Sequence, residues 1–122
     1  MKRKLLLVDD SALARRSLRS ILESGGFEVV EAEDGMRALE RYFLEKPDLV
    51  LLDLVMKGMY GLDVLAKLRE LDPAARIIVV TADVQESSHK MVSDAGARAF
   101  INKPVEKERV LDVVRTVLEG QA

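Results

Sequence analysis

The order of patterns along the chain predicts an α/β fold: a doubly wound, five-stranded parallel sheet with helices on both faces. Three observations carry this. Four short apolar runs have the look of strands buried on both sides, and each stops on a polar residue. Segments with helical spacing fill the intervals between them. Strand and helix then alternate five times, which demands right-handed crossovers and a parallel sheet.

The four runs are Leu5 to Val8 ending at Asp9-Asp10, Leu49 to Leu52 ending at Asp53, Ile77 to Val80 ending at Thr81, and Ala99 to Asn102 ending at Lys103-Pro104. After the first, residues 11–24 form a helical pattern. Leu13, Ala14, Leu18, Ile21 and Leu22 are assigned one face, with Arg15, Arg16, Arg19 and Glu23 opposite. Gly25-Gly26 closes this helix. Phe27 to Ala32 reads as a less apolar strand near a sheet edge. Asp34-Gly35 opens a helix that runs to about Glu45 and stops before Pro47. Leu49 to Asp53 is the third strand. A loop with Gly58 and Gly61 leads to a helix from about Leu62 to Leu71, ended by Pro73. Arg76 to Thr81 is the fourth strand, and Gln85 to Ala95 a short polar helix closed by Gly96. Ala99 to Asn102 is the fifth strand, and Lys107 to Leu118 the last helix.

The 122 residues fit one domain with one packed core. The expected organisation is a single domain over residues 1–122 with no output domain. There is no cysteine, so disulfides and thiolate metal sites are excluded, and a cytoplasmic location is expected. With 19 basic and 21 acidic residues there is no basic excess to suggest nucleic-acid binding. Lys2-Arg3-Lys4 followed by Leu5 to Val8 mimics a signal peptide, but the apolar run is too short and ends at Asp9-Asp10. No run is long enough for a membrane helix.

In an open parallel sheet the carboxyl ends of the strands share one edge, where ligands bind at the reversal of strand order. Asp9, Asp10, Asp53, Thr81 and Lys103 would therefore meet in one crevice. Each residue has a plain structural explanation. Asp9 and Asp10 could cap the following helix. Asp53 could be a loop acid, Thr81 an ordinary strand-end threonine, and Lys103 a solvated charge. Together they suggest more. Three clustered carboxylates suit a hard divalent cation such as Mg²⁺, with Mn²⁺ as an alternative, and the lack of cysteine and of paired histidines disfavours zinc. A carboxylate beside Mg²⁺ can act as a nucleophile on phosphorus. A hydroxyl and an ammonium opposite it supply what a bound phosphoryl group needs. Pro104 is either a turn residue or a cis bond that re-aims Lys103. His89, the only histidine, is expected to be exposed and structural.

At these positions the sequence resembles the response-regulator receiver domains of two-component signalling, along essentially the whole chain and most like the stand-alone chemotaxis regulators. The matching residues are Asp9-Asp10, Asp53, Thr81 and Lys103-Pro104. The family pattern after the acceptor reads here as Asp53, Met56, Lys57 and Gly61. Lys57 stands where proline is usual, which implies a slightly less rigid loop without loss of chemistry. The resemblance brings a flavodoxin-like (βα)5 fold with strand order 2-1-3-4-5. It implies that Asp53 is the phospho-acceptor and takes its group from a sensor histidine kinase or phosphotransfer protein. Asp10, Asp53 and the Val55 backbone carbonyl would hold Mg²⁺ directly, with Asp9 acting through water. Thr81 and Ala82 would border the phosphoryl group, Lys103 would pair with it, and Phe100 would turn inward as the aromatic switch residue. An apolar Val55, with Asp83 near the same water path, implies slow self-dephosphorylation.

The last helix carries Val110, Leu111, Val113, Val114, Val117 and Leu118. These make either a wide core face or, with the fourth helix and fifth strand, a surface for a downstream protein target or a second copy, as a monomer or weak dimer. Two other classes compete. An aspartate-nucleophile phosphatase would place Asp-x-Asp on the first strand, whereas Asp9 and Asp10 are adjacent. A nucleotide or flavin binder would need a phosphate-cradling loop where this chain presents two anions. A receiver-like module that binds partners without phosphorylation is a milder alternative, at odds with the intact set of site residues.

Overall fold

The computed structural model describes residues 2–54, 56, 60–82 and 86–120. The described residues form β1 (Lys4–Val8), α1 (Ala12–Ser24), β2 (Glu28–Ala32), α2 (Gly35–Glu45), β3 (Leu49–Asp53), α3 (Gly61–Leu71), β4 (Ile77–Thr81), α4 (Glu86–Asp94), β5 (Ala99–Asn102) and α5 (Lys107–Leu118). The strands are all parallel, in the order β2-β1-β3-β4-β5. The expected fold class and strand order are therefore those observed, and β2 is an edge strand.

The pleat of the sheet divides the core in two, because successive strand residues point to opposite faces. Leu5 and Leu7 of β1 join Leu18, Leu22 and the apolar residues of α5 on one side. Leu6 and Val8 join residues of α2, α3 and α4 on the other. All six apolar residues of α5 from Val110 to Leu118 are buried in the first cluster. The wide core face accounts for them, so they are not a surplus held for a partner.

Helix starts follow local chemistry. The Ser11 hydroxyl accepts from the Ala14 N–H and the Asp34 carboxylate from the Arg37 N–H, each capping its helix. Lys46 ends α2 in the left-handed region at φ 49°, ahead of Pro47. Gly61 starts α3 because the chain there passes directly over the β3–α3 backbone. Its N–H donates to the Leu54 carbonyl at 2.7 Å, and a Cβ at this position would fall 2.6 Å from Leu54 Cα.

Leu13 departs from its expected place. It is 77% exposed, whereas Leu18 and Leu22 are buried. Leu13 precedes Leu22 by nine residues, which at roughly 100° per residue puts it on the opposite side of the helix. Arg15, expected at the solvent face, has a side chain only 16% exposed. No helix among the described residues is long and apolar enough to cross a membrane.

Candidate functional site

The carboxyl ends of β1, β3, β4 and β5 bring the expected residues together. Asp53 is the last residue of β3 and Thr81 the last of β4; both are buried. Asp9 follows β1 and is buried, while Asp10 beside it is exposed. Lys103 follows β5 and is partly buried. Its backbone N–H donates to the Thr81 carbonyl at 2.8 Å, so the two side chains are held on neighbouring strand ends. Ala82 follows Thr81 and is exposed. The Lys103–Pro104 peptide is cis, the second of its two expected forms. Val55, Lys57 and Asp83 lie outside the described residues.

Carboxylate oxygens of Asp9, Asp10 and Asp53 lie within 4.8 Å of one another. Lys103 Nζ lies 3.2 Å from Asp9 Oδ2 and 3.8 Å from Asp53 Oδ1. The Lys103 ammonium thus faces two of the three clustered carboxylates. The donor set is all oxygen and anionic, two of its three members are buried, and it keeps net negative charge after Lys103 is counted. That chemistry fits a hard divalent cation such as Mg²⁺, with Asp9, Asp10 and Asp53 as the residues that would hold it.

Capping of α1 does not explain Asp9. Ser11 caps α1, and Asp9 Oδ1 instead accepts from the Ser11 backbone N–H at 2.9 Å. The two Asp9 oxygens are thus engaged by Ser11 and Lys103.

An arginine–glutamate cluster beside the site, Arg15, Glu31 and Arg19, falls outside the expected set. The Arg15 guanidinium donates from Nη1 to the Asp9 carbonyl at 2.6 Å and from Nε to Glu31 Oε1 at 2.9 Å. Glu31 also accepts from Arg19 Nη1 at 2.5 Å. Burial alone would push the Glu31 carboxyl up; hydrogen bonds from Arg19 and Arg15, with their charges, bring it below the usual carboxylate range. Only the position of Arg15 one turn beyond the Ser11 cap hinted that it could fold back over the loop.

His89 is not simply exposed. It is partly buried, and its ring lies 3.8 Å from that of Phe100, centroid to centroid, at an interplanar angle of 34°. Phe100 is itself half-buried and packs against the second core cluster.

The family description of the response regulator receiver domain matches residues 5–115. The chain is 41% identical over 119 residues to the chemotaxis protein CheY of Bacillus subtilis, covering 97% of this chain and 99% of that one. It is 42% identical over 119 residues to CheY of Halobacterium salinarum, covering 97% and 98%. Among solved structures, a CheY-like receiver domain from Methanospirillum hungatei superposes with a TM-score of 0.93 at 30% identity, covering 99% of this chain and 97% of that one. The CheX-CheY-BeF3-Mg²⁺ complex from Borrelia burgdorferi contains a chain that superposes with a TM-score of 0.91 at 35% identity, covering 94% and 88%.

Proposed function

The chain belongs to the response regulator receiver domain family, and from that premise we propose that it is a phospho-accepting switch with Asp53 as acceptor. Receiver domains of the CheY type are signalling proteins phosphorylated by a kinase, not enzymes acting on a separate substrate. The observation that carries the assignment here is the gathering of the Asp9, Asp10 and Asp53 carboxylates beside Lys103.

In the transfer, a carboxylate oxygen of Asp53 attacks the phosphorus of a phosphohistidine on a sensor kinase or phosphotransfer protein. The P–N bond breaks, the electron pair returns to the departing imidazole, and an acyl phosphate remains on Asp53. Mg²⁺ held by Asp9, Asp10 and Asp53, with Mn²⁺ as a substitute, would neutralise charge on the carboxylate and the phosphoryl oxygens. The Val55 carbonyl belongs to the same proposed ligand set. Lys103 would pair with the new charge and Thr81 would donate its hydroxyl, with Ala82 bordering the group. Phe100 would report the change on the face formed by α4, β5 and α5, where Met91 is exposed and a protein target would bind. The acyl phosphate would be slow to hydrolyse because Val55 cannot orient water. One receiver domain over residues 1–122, monomeric or weakly dimeric, working in the cytoplasm and binding neither nucleic acid nor membrane, completes the proposal.

Incubation with acetyl phosphate and Mg²⁺, read by intact mass, tests it. One added phosphoryl group that requires Mg²⁺ and is absent in Asp53→Asn is expected. No addition to the wild type, or addition that persists in Asp53→Asn, would overturn it.

A further inference from the structure

We propose that Arg15 is a positioning residue for the metal-holding loop, acting through the Asp9–Asp10 peptide. This rests on Asp9 and Asp10 being metal-holding residues. The peptide unit joining them consists of the Asp9 carbonyl and the Asp10 N–H. Its orientation fixes ψ of Asp9 and φ of Asp10, and so the angle between the two carboxylates. Arg15 Nη1 holds that carbonyl at 2.6 Å. The Asp9 N–H is held in turn by the Ala32 carbonyl at the end of β2, at 3.2 Å. Asp9 is therefore fastened through both of its backbone polar groups, on one side to β2 and on the other to α1.

Arg15 is itself braced. Its Nε bonds Glu31 on β2, and Glu31 is held from its other oxygen by Arg19. With a side chain 16% exposed, Arg15 bridges α1, β2 and the loop through a planar fork that lysine cannot reproduce.

The sign of the effect separates positioning from charge. A cation bonded to the Asp9 carbonyl repels Mg²⁺ held nearby, so removing Arg15 on electrostatic grounds alone should tighten Mg²⁺ binding. Removing a positioning group should weaken it, by roughly tenfold if it behaves as other groups that orient metal-binding residues do. Arg19→Ala is the control: it removes an equal charge and a Glu31 partner without touching Asp9.

The experiment is a Mg²⁺ titration without phosphodonor, followed by the backbone amide signals of Asp10 and Ser11 in labelled protein. Arg15→Ala is expected to bind roughly tenfold more weakly, Arg15→Lys to fall between it and wild type, and Arg19→Ala to stay within about twofold of wild type. Unchanged or tighter binding in Arg15→Ala would overturn the proposal. If Arg15→Ala does not fold, Arg15→Lys decides: it keeps the charge, so wild-type affinity there would equally overturn it. Failure of the wild type to bind Mg²⁺ would instead overturn the metal assignment, a distinguishable result.

Discussion

The imidazole of His89 in α4 lies against the ring of Phe100 in β5, with centroids 3.8 Å apart. Phe100 is thus clasped between the second core cluster and a helix whose one buried apolar anchor among the described residues is Val92. An aromatic contact of this kind is worth about 1 kcal/mol beyond its buried area. His89→Ala should cost about that much in urea denaturation. It should also shift the Phe100 ring-proton signals as the imidazole ring current is lost. Unchanged ring signals would mean that the two rings do not stack in solution.

Lys103 stands 3.2 Å from Asp9 and 3.8 Å from Asp53, competing with any cation for the same carboxylates. A unit charge at about 4 Å is worth about 4 kcal/mol near a protein surface, and solvent at a side chain 27% exposed reduces this. Lys103→Met should therefore tighten Mg²⁺ binding by about tenfold. The amide titration described for Arg15 measures it. Weaker binding would show that Lys103 organises the carboxylates instead of competing for them.

Gly61 lies where any side chain would strike the backbone just after Asp53. Gly61→Ala should destabilise the fold by about 1–3 kcal/mol in urea denaturation. It should also slow phosphorylation by acetyl phosphate, because relief of the clash must move the Asp53–Leu54 segment. A variant of wild-type stability would show that this loop yields freely.

Tyr42 donates its hydroxyl to Asp72 Oδ2 at 2.7 Å. Burial, then the hydrogen bond and charge of Asp72, push the phenol well above its ordinary value of 10.0. The folded state keeps the proton at a pH where the unfolded chain has lost it. The contribution is therefore complete below about pH 10 and fades as pH rises beyond that. Urea midpoints measured from pH 8 to pH 11 should fall more steeply above pH 10 in wild type than in Tyr42→Phe. Parallel curves would contradict the coupling.

The fold and most of the site were legible in the sequence for one reason. Strands buried on both faces announce themselves as continuous apolar runs, and parallel topology then places their polar ends on one edge. Asp53, Thr81 and Lys103 needed nothing further. The misplaced residues lie on helices. Leu13 has the composition of a core residue but sits opposite Leu22, and its exposure follows from angle, not type. Arg15 looks like a solvated charge, yet its long side chain folds back to a carbonyl that no side-chain pattern encodes. His89 lies on a helix read as polar, and its contact with Phe100 depends on how α4 sits over β5.

If Asp53 is the acceptor, the phosphoryl group can be located on it chemically. Protein treated with acetyl phosphate and Mg²⁺ is reduced with borohydride, which converts an aspartyl phosphate to homoserine, then digested and mapped by mass. Homoserine at position 53 and nowhere else is the expected product. Reduction at Asp9 or Asp10, or none at position 53 in protein shown to carry the phosphoryl group, would contradict it.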